Sequence, residues 1–344
     1  SEDMLRRKML SWFAGMQWRR EETKTMPKNT QKIGWIGMGR MGYPMAECLL
    51  KAGYDVSIWN RTRAKAEPLG KLGGKVVDKA VDLAGVDVLF SMVSTGKDLE
   101  QVYFGADGAL TAKGRVPPVL VDCSTISVEQ SAALRKRAKD LGAELVVCPV
   151  SGNAKVIKAG KLSAVASGPE PAFRAIEDMA KAFAPRGVSY VGDGELARVC
   201  KIAHNVMLGV TIENLIEVML LVNKMGVPRH AFLSFLNNSV IGSMFTAYKS
   251  PALVNLDWTT TFTPELLRKD IDLGLELGRK MDVPMPVTAA MREVLQAHFG
   301  AAILQQDPQA YLAKDFAALM ETMALGAGMT PESENQNVPT GLES

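Results

Sequence analysis

Two polar side chains on an otherwise apolar helical segment are the first residues of this chain that could carry a reaction. Lys201 and Asn205 lie four positions apart, so in a helix they share a face with Leu208 and Ile212. Burying an ammonium group and an amide among apolar side chains is costly without compensation. As an ammonium, Lys201 could protonate the oxygen of a carbonyl under reduction, and as a free amine it could act as a general base. The periodicity leaves open that Lys201 extends to solvent instead.

A glycine-rich turn is the second feature with a chemical use. Gly37, Gly39 and Gly42 have the G-x-G-x-x-G spacing between an apolar run at residues 32–36 and a helical pattern at 41–52. A dinucleotide pyrophosphate binds at such a helix N-terminus, where unpaired N–H groups and the helix dipole favour anions. We therefore predict a dinucleotide-binding turn, against the alternative of a plain tight turn. Its predicted cofactor contacts come from Gly37, Met38, Gly39, Arg40, Met41 and Gly42.

The end of the next apolar run, at residues 56–59, indicates which dinucleotide binds. Sites for NAD usually place a carboxylate there, and a carboxylate would repel a 2′-phosphate. This chain has Asn60, Arg61 and Thr62, and a guanidinium beside a hydroxyl and an amide suits a phosphate. We therefore predict NADP(H) as the cofactor, in preference to NAD. The alternative is that Arg61 and Arg63 belong to a solvated loop.

Alternating strand-like and helical segments predict the elements that position these residues. Continuous apolar runs, typical of strands buried on both faces, lie at 86–93, 119–122, 144–148, 162–167 and 188–191. Helical patterns separate them, which predicts an α/β fold with a mostly parallel, doubly wound Rossmann sheet. After residue 193 only helical patterns follow, and the first runs from Glu195 to Met225. The predicted fold is an N-terminal Rossmann sheet and an all-α C-terminal domain, joined by a long interdomain helix.

These patterns divide the chain into four predicted segments. They are an N-terminal extension at 1–30, an NADP-binding Rossmann domain at 31–193, an all-α domain for substrate binding and oligomerisation at 194–326, and a disordered tail at 327–344. The extension has apolar positions that could form one helical stripe among basic residues, as in a membrane-contacting or transit segment. Its acidic residues argue against transit, and we expect a loose extension. The tail is polar and has no periodicity.

Composition and charge argue against several classes of function. The chain has 344 residues and a net charge of +3, and its basic residues are spread out, so nucleic acid is not a predicted partner. We find no apolar run long enough to span a bilayer and predict no membrane partner. The four cysteines are far apart and there are three histidines, so we predict no metal site and a reducing, cytoplasmic location.

Five separated motifs occur in an order that resembles the β-hydroxyacid dehydrogenase family. They are the glycine turn, Asp122-Cys123-Ser124-Thr125, Pro149-Val150-Ser151-Gly152-Asn153, Lys201 with Asn205, and Lys269-Asp270 followed by Leu273. The resemblance extends from about Lys32 to Leu325. The family includes 3-hydroxyisobutyrate dehydrogenase, tartronate semialdehyde reductase and glyoxylate/succinic semialdehyde reductases, and more distantly 6-phosphogluconate dehydrogenase.

The resemblance implies roles for the matching residues. Lys201 is implied to be the catalytic lysine. The substrate is implied to lie among Ser124, Ser151, Gly152, Asn153, Asn205 and Asp270, and the cofactor to contact Met92, Val93, Thr125 and Lys269 besides the glycine turn. The family also implies a small carboxylate substrate and association into a homodimer or homotetramer.

Two positions depart from the family pattern. The substrate loop usually reads Ser-Gly-Gly, whereas this chain has Asn153 at the third position, where a side chain takes up space or adds an amide contact. His204 stands where many members have Asn. In the 6-phosphogluconate branch a His at this place serves the substrate, and the alternative is a helix residue that is satisfied locally.

Together these observations predict an NADP(H)-dependent oxidoreductase that transfers hydride between the nicotinamide and a small β-hydroxy acid or its aldehyde or keto acid. One alternative is an imine reductase, because such relatives share the glycine turn and an Asn-Arg-Thr ending but usually replace the catalytic lysine. A second alternative is a non-catalytic homologue that still binds NADP. The presence of Lys201, Asn205 and Ser124 favours the first prediction.

Overall fold

The computed structural model describes residues 30–343, and the predictions made for residues 1–29 lie outside them. In chain order the strands are β1 (Lys32–Ile36), β2 (Asp55–Trp59), β3 (Lys75–Val76), β4 (Val88–Ser91), β5 (Val119–Asp122), β6 (Glu144–Val147), β7 (Val150–Ser151), β8 (Ser163–Ala166) and β9 (Gly187–Tyr190). The α-helices are α1 (Gly42–Lys51), α2 (Gly96–Phe104), α3 (Val128–Asp140), α4 (Ala154–Lys158), α5 (Glu170–Phe183), α6 (Leu196–Lys224), α7 (Arg229–Asn238), α8 (Met244–Asn255), α9 (Pro264–Lys280), α10 (Pro286–Ile303), α11 (Pro308–Leu312) and α12 (Leu319–Gly326).

The main sheet has six parallel strands in the order β3-β2-β1-β4-β5-β6. Apolar side chains cover both of its faces, and on one face Trp35 of β1 stacks on Phe90 of β4 with ring centroids 5.4 Å apart. Strand order reverses between β1 and β4, which opens a crevice at their carboxyl ends. The loops that follow β1, β4 and β5 therefore meet at one edge of the sheet. The predicted fold class is confirmed.

The apolar runs at 162–167 and 188–191 do form strands, but they lie in a separate three-stranded sheet of order β7-β8-β9. One bridge between Val147 and Ser167 links this small sheet to the end of β6. The helix between β7 and β8, α4, has only 5 residues. A parallel crossover needs a dozen or more residues, so β8 returns antiparallel beside β7 instead of extending the main sheet.

Helix α6, with 29 residues, leads from the sheets into the helical domain and is buried there against α9. The two helices approach closely at glycines: a Cβ at Gly209 would lie 2.7 Å from Ile271 Cδ1, and one at Gly274 would lie 2.2 Å from Val206 Cγ2. The predicted boundary near residue 193 falls between β9 and α6. By length and mean hydropathy α6 alone among the described helices could cross a membrane, and half of its most apolar window is buried.

The end of the chain, residues 327–343, differs from the predicted disordered tail. Glu334 accepts hydrogen bonds from the backbone N–H groups of Arg229 and His230 at the start of α7, at 2.7 and 3.0 Å. Asn255 and Gln336 exchange two further hydrogen bonds, and Leu342 packs beside the sheet core. Unpaired donors at a helix N-terminus need acceptors, and the polar composition that indicated disorder supplies them.

Candidate active site

A cavity of about 230 Å³ lies between the carboxyl ends of the strands and the helical domain. Many residues that the sequence predicted to act together line its wall: Met41, Met92, Thr125, Ser151, Gly152, Asn153, Lys201 and Asn205. The helical domain closes the opposite side with a largely apolar wall. It consists of Leu208, which the helical period placed on the face of Lys201, and of five residues that sequence reasoning did not identify: Met244, Phe245, Tyr248, Phe262 and Phe316. The cavity therefore joins the predicted cofactor edge to the predicted catalytic lysine.

The glycine turn is shaped for close approach of a phosphate group. Gly37 has φ +99°, and a Cβ there would lie 2.1 Å from the Met92 carbonyl oxygen. A Cβ at Gly42 would lie 2.0 Å from the Gly37 carbonyl oxygen, whereas a Cβ at Gly39 would meet nothing within 4 Å. Two glycines are thus needed by the fold, and the third leaves open space before the N-terminus of α1, which has no acidic residue in its first turn. These features fit a dinucleotide.

In the segment after β2, Arg61 is the side chain best placed to bind a 2′-phosphate. Asn60 accepts from the Met38 N–H at 2.9 Å and donates to the Thr62 carbonyl at 2.8 Å, so its amide holds the glycine turn in place. Arg63 is paired with Asp78 at 2.6 Å and Glu67 at 3.5 Å. Arg61 has an 87 % exposed side chain and only a 3.8 Å contact with Asp98. Its guanidinium remains available to a phosphate.

Lys201 lies in the cavity, and its ammonium has no hydrogen-bond partner among the described residues. Loss of hydration lowers the pKa of Lys201 from 10.5 to about 8, and the nearby Lys269 cation acts in the same direction. The Asp270 carboxylate opposes them. A lysine with this pKa is available as both ammonium and amine close to neutral pH, as proton transfer requires.

A chain of hydrogen bonds runs behind Lys201 from one buried carboxylate to the substrate loop. Asn205 Nδ2 donates to Asp270 Oδ2 at 2.6 Å, and Asn205 Oδ1 pairs with His204 Nδ1 at 2.8 Å. His204 Nε2 in turn pairs with Ser151 Oγ at 2.8 Å. We refer to Asp270, Asn205, His204 and Ser151 as the relay. The relay connects α9, α6 and β7, three elements that are far apart in the sequence.

The Asp270 carboxylate sets the direction of the relay, because only the NH₂ end of Asn205 can donate to it. The Asn205 oxygen then accepts from His204 Nδ1–H, so a neutral His204 accepts from the Ser151 hydroxyl. Burial, followed by the charge of Lys201, lowers the pKa of His204, which favours this neutral form. Ser151 consequently offers lone pairs to the cavity while its proton is held by His204.

Asn153 has a structural role that explains its departure from the family pattern. Its side-chain oxygen accepts from the backbone N–H groups of Lys155 and Val156, at 3.0 and 3.2 Å, and so caps α4. A glycine would leave these two donors without that acceptor. The NH₂ group of Asn153 has no hydrogen-bond acceptor among the described residues, and the side chain lines the cavity.

Three of the predicted substrate and cofactor residues, Ser124, Lys269 and Asp270, do not line the cavity. Ser124 is fully buried; its hydroxyl donates to Asp122 at 2.8 Å and accepts from the Val93 N–H at 2.9 Å. Lys269 donates to the Thr125 carbonyl at 2.9 Å and lies 3.5 Å from Asp270. Asp270 is buried behind Asn205, and burial raises its pKa. The side chains of these three residues are engaged with neighbouring parts of the protein behind the cavity wall, and their assignment to substrate and cofactor stays a prediction.

A buried arginine that sequence reasoning missed joins α6 to the main sheet. Arg198, three residues before Lys201, is 1 % exposed and lies 2.5 Å from the fully buried Asp122 at the end of β5. It also donates to Ser131 Oγ at 3.0 Å and to the Ser124 carbonyl. We refer to this pair as the Arg198–Asp122 anchor. The sequence did contain a signal for this pair. Arg198 is a charged residue at the start of an apolar helix, one turn before Lys201.

Two protein-family models match the chain in succession. The NAD-binding domain of 6-phosphogluconate dehydrogenase matches residues 32–192, and the NAD-binding domain of NADP-dependent 3-hydroxyisobutyrate dehydrogenase matches residues 196–314. Glyoxylate/succinic semialdehyde reductase 2 of Arabidopsis thaliana is 30% identical over 301 residues, which cover 86% of this chain and 80% of that protein. The chain belongs to the β-hydroxyacid dehydrogenase family. The predicted family and the predicted class, an NAD(P)-dependent oxidoreductase acting on CH–OH groups, are therefore confirmed.

Solved structures of other proteins share the fold of this β-hydroxyacid dehydrogenase family chain. A 3-hydroxyisobutyrate dehydrogenase from Salmonella typhimurium has a TM-score of 0.74 at 23% identity and covers 85% of this chain and 99% of its own. An imine reductase from Myxococcus stipitatus in complex with NADP+ has a TM-score of 0.54 at 20% identity, covering 85% and 99%. At these identities the likeness shows the fold alone.

Proposed function

We propose that this protein catalyses hydride transfer between NADP(H) and a small hydroxy acid or the corresponding aldehyde or keto acid, with Lys201 as the proton donor and acceptor. The observation that carries the proposal is the position of Lys201 in a cavity that also has Met41 of the glycine turn and Ser151 of the substrate loop in its wall. The nicotinamide supplies or accepts the hydride when it is bound.

The charge of Lys201 determines its role in each direction. In reduction negative charge develops on the carbonyl oxygen, and the Lys201 ammonium stabilises that charge and donates its proton. In oxidation the Lys201 amine accepts the proton of the substrate hydroxyl. A pKa of about 8 keeps both forms within reach near neutral pH. The charges of Asp270 and Lys269 act on the pKa of Lys201 in opposite directions, and the effect of Asp270 is the larger of the two.

The substrate loop provides polar groups of two kinds. The free NH₂ group of Asn153 and the backbone around Gly152 can donate to a substrate carboxylate, and both residues line the cavity. Ser151, whose proton is directed to His204, accepts a hydrogen bond from a substrate hydroxyl instead. Asn205 acts through the relay, because its amide is held between Asp270 and His204 and thereby fixes the wall beside Lys201.

The proposed cofactor is NADP, with NAD less favoured. The exposed Arg61 guanidinium supports this choice, as does the absence of any carboxylate among Asn60, Arg61 and Thr62. The second matching family model is described as that of an NADP-dependent enzyme.

A substrate panel tests the function. Purified protein would be assayed with NADPH and NADH against glyoxylate, succinic semialdehyde, other C2 to C5 aldehyde and keto acids, and a cyclic imine. We expect turnover of at least one carbonyl acid, faster with NADPH, and none of the imine. Turnover of the imine alone would favour imine reduction, and tight NADPH binding without any turnover would favour a non-catalytic homologue.

The proposed assembly is a homodimer or homotetramer formed through the helical domain. Large apolar side chains on α6 and the segment after it are exposed, including Met207 at 73 % and Met225 at 79 %. A second subunit that packs against these side chains would remove their apolar surface from water. Light scattering during size-exclusion chromatography would check the subunit count. The proposed location is the cytoplasm, without nucleic-acid or membrane partners, and it rests on charge and cysteine usage.

A further inference from the structure

One group of residues in the cavity wall offers cations and hydrogen-bond donors. Four residues there, Lys161, Ser163, Arg186 and Tyr248, line the same cavity as Lys201, and we refer to them as the distal donors. No Asp or Glu lines this cavity among the described residues. A wall with three cations, counting Lys201, and no carboxylate attracts anions.

Strand pairing places the distal donors close to the substrate loop. Ser163 of β8 is the register partner of Ser151 on one side and of Gly187 on the other. Adjacent strands lie about 5 Å apart, so a group beside Ser163 is roughly one strand spacing from Ser151. Lys161 precedes β8, and Arg186 precedes β9 with its N–H bonded to the Leu162 carbonyl at 3.1 Å.

The distal donors are largely unused within the described protein. Neither the Tyr248 hydroxyl nor the Ser163 hydroxyl makes a hydrogen bond to a described residue. Arg186 is exposed, and its guanidinium makes one hydrogen bond to a described residue, to the Met244 sulfur at 3.6 Å. Lys161 Nζ donates to the carbonyls of Gly341 and Glu343, at 3.0 and 3.3 Å, which leaves it one further N–H. Both acceptors are neutral carbonyl groups, and within residues 30–343 Lys161 forms no ion pair.

Lys161 and Arg186 form no ion pair within the described residues, so an anion in the cavity can form charge-assisted hydrogen bonds with them. The substrate loop already provides for one carboxylate near the reacting carbon in the proposed function, on which this inference rests. We propose that the distal donors bind a second carboxylate of the same substrate. The preferred substrates are then β-hydroxy dicarboxylates and the oxo acids that carry a second carboxylate, rather than β-hydroxy monocarboxylates.

Binding of unreactive acids tests this inference apart from turnover. Adipate and hexanoate differ only in whether the sixth carbon is a carboxylate, and each would be titrated calorimetrically into the protein saturated with NADP+. We expect adipate to bind at least about 10-fold more tightly, the effect of one charge-assisted contact. Equal affinities would overturn the proposal, even if the enzyme reduces carbonyl acids.

A charge-matched pair of variants locates the second carboxylate. In Lys161→Met the preference for adipate should fall by about 10-fold. It should persist in Lys158→Met, which removes an exposed lysine of α4 outside the cavity. If the protein oxidises hydroxy acids, Lys161→Met should raise KM for 3-hydroxyadipate and leave both its kcat and the KM for 3-hydroxyhexanoate unchanged. A KM raised equally for both would show that the distal donors hold the only carboxylate and would refute the proposal.

Discussion

The glycine turn and the cavity wall around Lys201 are built from the chain in different ways. The glycine turn consists of a few consecutive residues and presents its backbone N–H groups to the pyrophosphate. The missing side chain of Gly39 leaves the space that the phosphates need. Around Lys201, by contrast, side chains from α6, α9 and β7 come together to form the relay. Pyrophosphate binding therefore depends on one short segment, whereas catalysis depends on how the helical domain packs against the sheet.

The comparison predicts that the chemistry can be removed without loss of cofactor binding. Lys201→Met should lower kcat by about 10³-fold, since proton transfer by a positioned group contributes that order. NADPH affinity, measured by fluorescence titration, should change little because the glycine turn is untouched. Lys158→Met, which removes an exposed lysine outside the cavity, is the control. A variant of Lys201 that keeps its turnover would refute the assignment.

The Arg198–Asp122 anchor should be the most sensitive contact between the two parts of the fold. Arg198→Met leaves the Asp122 carboxylate buried without its cation, and loss of one partner of a buried pair costs about 3–5 kcal/mol. Denaturant unfolding would measure the loss. Arg198→Met combined with Asp122→Leu should recover part of it, because neither charge is then left alone. Strictly additive losses in the double variant would show that the two residues act independently.

Within the glycine turn, two substitutions of equal size should separate folding from cofactor binding. Gly42→Ala places a Cβ 2.0 Å from the Gly37 carbonyl oxygen, and such overpacking costs about 1–3 kcal/mol of stability. Gly39→Ala meets nothing within 4 Å, so the melting temperature should be unchanged while NADPH affinity falls by about 10-fold. Melting curves and NADPH titrations of both variants give the comparison. Normal NADPH binding by the Gly39→Ala variant would contradict the role assigned to Gly39.

The contrast between a contiguous turn and a site assembled from distant segments explains how much the sequence alone could predict. The glycine turn is contiguous, so its spacing between two apolar runs was sufficient, and the helical period was sufficient to place Lys201 and Asn205 on one face. The strands at 162–167 and 188–191 were recognised, but their assignment to a second sheet depended on the short length of α4. Periodicity identifies elements and does not specify how they pair.

Contacts between distant segments were beyond sequence reasoning. Asn205 meets Asp270 because α6 and α9 approach closely at Gly209 and Gly274, a packing detail that leaves no local signal. Ser124 was assigned to the substrate because of its motif, yet its hydroxyl is used by Asp122 and Val93. The matching motifs give a residue's place in the chain; only packing decides whether its side chain reaches the cavity.

The dependence of kcat/KM on pH should report the pKa of Lys201. With the pKa of Lys201 at about 8, kcat/KM for reduction should be flat below that pH and fall about tenfold per unit above it, while oxidation shows the opposite limb. The folded protein holds this proton less tightly than the unfolded chain, whose lysine pKa is near 10.5. Stability from this group should therefore rise between about pH 8 and 10.5 and be lost as the pH falls through 8. Lys201→Met should lack the rise.

The charge of Arg61 provides a further test of how the cofactor is bound. Arg61→Ala should weaken NADPH binding by about 10-fold, the effect of losing one charge-assisted contact with a phosphate, and leave NADH binding unchanged. Arg63→Ala is the matched control, because Arg63 is already paired with Asp78 and Glu67 and should affect both cofactors little. Fluorescence titrations with the two nucleotides would measure it. Equal losses for NADPH and NADH would place Arg61 away from the 2′-phosphate, and the cofactor preference would then have to come from the backbone of the turn itself.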